Sequence, residues 1–152
     1  MDNYIRVYEN AFSDELCDRL INKFESTPEG NRERHDMGEM HFSQVNFRAC
    51  GWKEEQDELV NIFLSHTKKY TADVGVTTEF PQKYALEDIR LKKYSPDGYD
   101  QFGPHVDVVD KSTSTRFLVF FVYLNDNVSG GTHFDRINLT SPCKKGSILI
   151  FP

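Results

Sequence analysis

The run Phe117-Leu-Val-Phe-Phe-Val-Tyr-Leu124 is the strongest constraint on what this chain can fold into. A strand with one wet face alternates apolar and polar side chains, whereas this run is apolar on both faces. Residues 116–124 therefore read as a central strand covered on each side, and the rest of the chain must supply the cover. Turn signals surround it. Residues 125–131 turn, residues 132–135 and 137–140 form short strands, and residues 142–146 lead into an apolar strand over residues 147–151. Upstream, residues 89–94 alternate, Ser95-Pro-Asp-Gly98 turns, and Gly103-Pro104 introduces a strand over residues 105–109. Short strands at this spacing predict a sandwich or jelly roll rather than alternating βα units.

The first half of the chain has a different period. Ser13 is placed to cap a helix with Asp14 and Glu15 in its first turn, where negative charge suits the helix dipole. Leu16, Leu20, Ile21 and Phe24 recur at helical spacing, and Pro28 with Gly30 ends the segment. A second helix is expected over residues 53–70, with Leu59, Ile62, Phe63 and Tyr70 on its apolar side. Residues 31–50 between them are polar and irregular. They read as a surface connection or short strands, with a mobile lid over a site as the sharper alternative.

Composition narrows the class further. The chain has 152 residues, a net charge of -6 and 13% aromatics, which suits one acidic domain with a real core. That charge argues against a nucleic-acid backbone as the main partner, since phosphate contacts need clustered Lys and Arg. No apolar run is long enough to cross a bilayer, so no membrane partner is expected. Cys17, Cys50 and Cys143 are odd in number and far apart, as for reduced thiols in the cytoplasm. The apolar run ending at Phe151 and Pro152 leads us to expect that the natural chain continues further.

His105-Val-Asp107 carries the sharpest chemistry. On a strand, residues two apart point the same way, so an imidazole and a carboxylate share one face and can hold one ion. With a second histidine from elsewhere they form the facial triad of non-haem iron(II) oxygenases. A second such pair, His133-Phe-Asp135, is expected to face solvent if Thr132 and Phe134 face inward. Tyr123 lies on the same strand face as Phe117, Val119 and Phe121, and a phenol in an apolar wall needs a hydrogen-bond partner.

Five motifs in order give these residues a context: Tyr94-Ser-Pro-Asp-Gly98, His105-Val-Asp107, Tyr123-Leu-Asn125, Gly130-Gly-Thr-His-Phe134 and Pro142-Cys-Lys-Lys-Gly146. Together they resemble the iron(II)/2-oxoglutarate dioxygenase superfamily, and within it the prolyl 4-hydroxylase branch. The resemblance spans residues 86–152 and implies a double-stranded β-helix (jelly roll) packed against supporting α-helices. Fold class is thus mainly β with N-terminal helices, in a single domain. Residues 1–85 are helical support and possible lid, and residues 86–152 are the jelly-roll core. By the same resemblance His105 and Asp107 are the first two iron ligands. Tyr123 hydrogen-bonds the far carboxylate of 2-oxoglutarate, Thr132 reaches the same cosubstrate, and Tyr94 lines the pocket. A core tyrosine and a plain strand threonine are the bland readings of Tyr123 and Thr132. The family's distal histidine, the third ligand, and its basic anchor for 2-oxoglutarate both belong after the strand ending at Phe151, and neither is present in these 152 residues.

The implied activity is hydroxylation of an unactivated C–H bond, with prolyl residues of a peptide or protein as substrate. Fe(II) and 2-oxoglutarate are the cofactors, dioxygen is the co-reactant, ascorbate is the reductant, and succinate and CO2 are released. Three rivals share parts of this pattern. One is a cupin-like or otherwise non-catalytic binding module. The others are oxygenases of the same superfamily acting on a small molecule or on nucleic acid.

Overall fold

The structure is a computed structural model and describes residues 4–152. Its elements in order are β1 (Arg6–Tyr8), α1 (Asp14–Ser26), β2 (Glu33–Met37), β3 (Met40–Asn46), α2 (Lys53–Asp73) and β4 (Arg90–Lys93). β5 (Gln101–Phe102), β6 (Val119–Val122), β7 (His133–Phe134), β8 (Leu139–Thr140) and β9 (Ile148–Phe151) follow. Every strand pair is antiparallel, so the chain is mainly β with two long helices.

Both helices form where periodicity places them. The Ser13 side chain accepts the Leu16 N–H at 3.2 Å, satisfying one of the donors that every helix start leaves open. Leu16, Cys17, Leu20 and Phe24 make the buried stripe of α1, and Leu59, Phe63 and Tyr70 that of α2. α2 runs three residues past Tyr70, the end expected from its apolar pattern.

The central strand is not the one that the apolar run suggested. Within residues 116–124 only Val119–Val122 are regular strand, and they form an edge of the sheet β1-β9-β6. β9 lies in the middle, with Ile148, Leu149 and Ile150 all 0% exposed. The reason is β1, a three-residue strand too short to announce itself, which pairs Tyr8 with Ile148 and Arg6 with Ile150 and so encloses β9 from the second side. Alternation along β6 still holds. Leu118, Phe120, Val122 and Leu124 pack into the core cluster with the helices, where the Phe63 and Phe120 rings lie 5.5 Å apart. Phe121 faces the other way with Phe151, which also meets Phe134.

A second sheet carries β2, β3 and β4, with β5 sharing the β4 edge of β3. Residues 31–50, expected to be irregular or short strands, are therefore largely an antiparallel hairpin, in which Phe42 and Val45 of β3 are buried. The strand expected over residues 105–109 is absent, and residues 103–118 contain neither helix nor strand. Pro104 offers no N–H to a ladder, and Asp110 diverts the backbone into a turn. The Asp110 Oδ1 atom accepts the Thr113 N–H at 3.0 Å and the Ser112 hydroxyl at 2.7 Å.

Candidate metal centre

Because no strand runs through His105, alternation is not what brings it to Asp107. The loop does so by holding the Nδ1 edge of His105 against its own backbone. Gly103 N–H donates to Glu39 O at 2.8 Å, tying the loop to the tip of the β2–β3 hairpin. A Cβ at Gly103 would stand 2.5 Å from the Glu39 Cβ, so only glycine allows this approach. Gly103 O then lies 2.9 Å from His105 Nδ1. A carbonyl can only accept, so Nδ1 is the donor in this contact, and Nε2 is the nitrogen turned toward Asp107 and open to a metal in the neutral ring. Nε2 lies 3.4 Å from Asp107 Oδ1, close to the separation of adjacent ligands around one small divalent ion.

Arg116, which sequence reasoning passed over, holds the other side of the loop. Its Nη1 donates to Asp107 O at 2.8 Å while Nε and Nη2 grip Glu87 at 2.6 and 2.9 Å. This fork fixes the backbone that carries the carboxylate. Imidazole with carboxylate suits Fe(II) among other divalent ions. Among the described residues, no set of three His, Cys, Asp or Glu side chains is arranged to hold a metal ion.

An aromatic wall flanks the pair. The Phe102 ring meets His105 edge-on at 4.3 Å and stacks on Phe42 at 5.3 Å, and Phe42 meets Tyr94 at 5.7 Å. Tyr94 thus joins the His105 side through two rings. Burial and the charge of Asp100 push its phenol up to about 12. Lys92 of β4 lays its ammonium over both Phe42 and Phe102, and burial pulls it down to about 8 while Asp107 opposes that shift.

Tyr123 and Thr132 come together, with Ser141 as an unanticipated third member. The Tyr123 hydroxyl lies 2.7 Å from Thr132 Oγ1 and 2.8 Å from Ser141 Oγ, and it accepts the Thr132 N–H at 3.1 Å. A phenol has one hydrogen and two lone pairs, so these three contacts occupy all of them. Ser141 N–H donates to Thr132 O at 2.9 Å, and a Cβ at Gly131 would stand 2.1 Å from Ser141 O. Gly131 therefore lets the two backbones meet. The only sign of Ser141 in the sequence is its place before Pro142. Among the described residues, no hydrogen bond or ion pair joins this cluster to His105 and Asp107.

His133 is exposed, as expected, with Nδ1 2.8 Å from Thr140 Oγ1 and Nε2 3.4 Å from Asp135 Oδ1. The three cysteines are free.

The chain matches no protein-family model and no curated protein. Its structure is similar to that of the viral collagen prolyl hydroxylase of Paramecium bursaria Chlorella virus-1 in complex with 2-oxoglutarate. The TM-score is 0.61 at 19% identity, over 97% of this chain and 77% of that one. At that identity the likeness is one of fold, and this β-rich chain has a fold like that of a 2-oxoglutarate oxygenase.

Proposed function

We propose that this chain is an iron(II)/2-oxoglutarate-dependent oxygenase of jelly-roll type that hydroxylates prolyl residues in a peptide or protein. The observation that carries this reading is the His105–Asp107 pair, 3.4 Å apart, with Nδ1 of the imidazole tied back to Gly103. Similarity in fold to a prolyl hydroxylase supports it. His105 and Asp107 would hold the iron, and Arg116 keeps the Asp107 backbone in place. Phe42 and Phe102 exclude water from one side of the site, and Tyr94 extends that wall. Tyr123 and Thr132 form the polar edge proposed for the cosubstrate, with Ser141 completing it. When bound, iron with 2-oxoglutarate supplies the oxidising chemistry that hydroxylates an unactivated C–H bond and releases succinate and CO2.

The deciding assay is succinate release with Fe(II), 2-oxoglutarate, ascorbate and a panel of proline-rich peptides. Peptide-stimulated turnover that disappears in His105→Ala is the expected result, and no stimulation by any peptide refutes the prolyl assignment. A second reading, a metal-binding module without turnover, is favoured by the two-ligand set among the described residues. It predicts His105-dependent metal binding with no succinate release.

A further inference from the structure

The chain is fastened to the β2–β3 hairpin a second time, just before it reaches Gly103. Residues 95–100 turn ahead of β5, and two of them reach past β3 to β2 at the edge of the sheet. The Tyr99 hydroxyl donates to Asp36 Oδ1 at 2.7 Å, and Arg34 donates to both carboxylate oxygens of Asp100 at 3.0 and 2.6 Å. Arg34 and Asp36 are two apart on β2, so they share one face. His41, the cross-strand neighbour of Asp36, completes the cluster. Its Nδ1 meets the same Asp36 oxygen, and its ring lies 4.3 Å from that of Tyr99. Only 14% of the His41 side chain is exposed. Tyr99 and then His41 hold the Asp36 carboxyl below the usual carboxylate range.

These contacts bracket the Glu39–Gly103 hydrogen bond. Asp36 and His41 close the hairpin tip, from which Glu39 O receives the Gly103 N–H. Tyr99 and Asp100 stand four and three residues ahead of that glycine. Glycine has a wide choice of backbone angles, so one hydrogen bond to its N–H leaves the direction of its carbonyl open. Fixing the chain on both sides closes that choice. We propose that Asp36, His41 and Tyr99 are positioning residues of the metal centre, clasping the hairpin tip to the turn so that the Gly103 carbonyl stays on His105 Nδ1. Among the described residues, no hydrogen bond, ion pair or ring contact joins the three to His105 or Asp107, so they act through Gly103. The inference rests on His105 and Asp107 as metal ligands.

The molecule carries its own control, a second hydrogen bond from a tyrosine to an aspartate. Tyr8 of β1 donates to Asp73 of α2 at 2.8 Å, outside the hairpin and the loop. Tyr99→Phe and Tyr8→Phe each delete one such hydroxyl, and a merely structural role would treat them alike. In calorimetric titration, Tyr99→Phe is expected to weaken Mn(II) binding by about three- to tenfold, less than removal of a group bonded to a ligand itself. Tyr8→Phe should stay within about twofold of wild type while still lowering the urea midpoint. Asp36→Ala should cost about tenfold, and Asp36→Asn, which keeps an acceptor, should recover most of that loss. The imidazole signals of His105 in metal-free protein give a second readout by NMR. They should shift in Tyr99→Phe and Asp36→Ala and stay in place in Tyr8→Phe. Wild-type Mn(II) affinity in Tyr99→Phe, or equal losses in the two tyrosine variants, overturns the proposal. If wild type binds no Mn(II), the metal-ligand reading falls first. The clasp is then judged on the His105 signals alone, and it is overturned if Tyr99→Phe leaves them unmoved.

Discussion

The two His-x-Asp pairs have the same internal geometry and different surroundings. Nε2 to Oδ1 is 3.4 Å in both, so the local motif does not distinguish them. The side chains of His105 and Asp107 are 29% and 37% exposed, whereas those of His133 and Asp135 are 45% and 65% exposed. His105 leans on Phe102 beside a cation, and its Nδ1 meets a carbonyl, which can only accept and so makes that nitrogen a donor. His133 meets the Thr140 hydroxyl, which can donate or accept and dictates nothing. The two pairs thus differ in what fixes and shields them, and tripeptide spacing recurs without that support.

The largest contrast should come from direct removal. His105→Ala is expected to weaken Mn(II) binding by more than about 100-fold, and His133→Ala by less than about twofold. Equal effects in calorimetric titration would put the two pairs on one footing. Next comes the support that the second pair lacks. Arg116→Ala removes the clamp on Asp107 O and should cost about tenfold in Mn(II) affinity, with no change in the His133 imidazole signal by NMR.

Gly103→Ala should separate the pairs through stability. It forces the Glu39 tip away from the loop at a cost of about 1–3 kcal/mol, read from the urea midpoint. Mn(II) affinity should fall in parallel, because the displaced residue also carries the carbonyl for His105.

The smallest effect is acid sensitivity on the His105 side. Asp100 accepts from Arg34 at 3.0 and 2.6 Å and from the Ser95 N–H at 2.8 Å, which holds its carboxyl at about 2 against an ordinary 3.8. A depressed folded pKa means stability that is present above the unfolded value and lost as pH falls through the folded one. Wild type should therefore lose stability between about pH 4 and 2, and Asp100→Asn should flatten that slope in pH-dependent urea melts.

Much of this was visible in the residues themselves. Ser13, the spacing of Leu16, Leu20 and Phe24, and the face shared by Phe121 and Tyr123 depend on neighbours a few positions away, where period and capping act. Other features were not visible. β1 is three residues long, and its worth comes from lying beside Ile148, Leu149 and Ile150 and from Tyr8, which joins the core and donates to Asp73. Ser141 matters through Thr132, nine residues distant, and Arg116 through Glu87, twenty-nine distant. Such pairings leave no periodicity because neither partner's local conformation demands the other.

By itself the sequence determined two amphipathic helices, a β-rich second half, and a histidine and a carboxylate two residues apart at 105 and 107. Those properties follow from side-chain chemistry and short-range backbone preference. Only the tertiary structure decided that β9 rather than β6 is central, and that a loop rather than a strand presents His105. It also decided which of two identical spacings sits against Phe102 and Lys92. Burial and tautomer are set by groups that arrive from distant parts of the chain, and they exist only once those parts have packed.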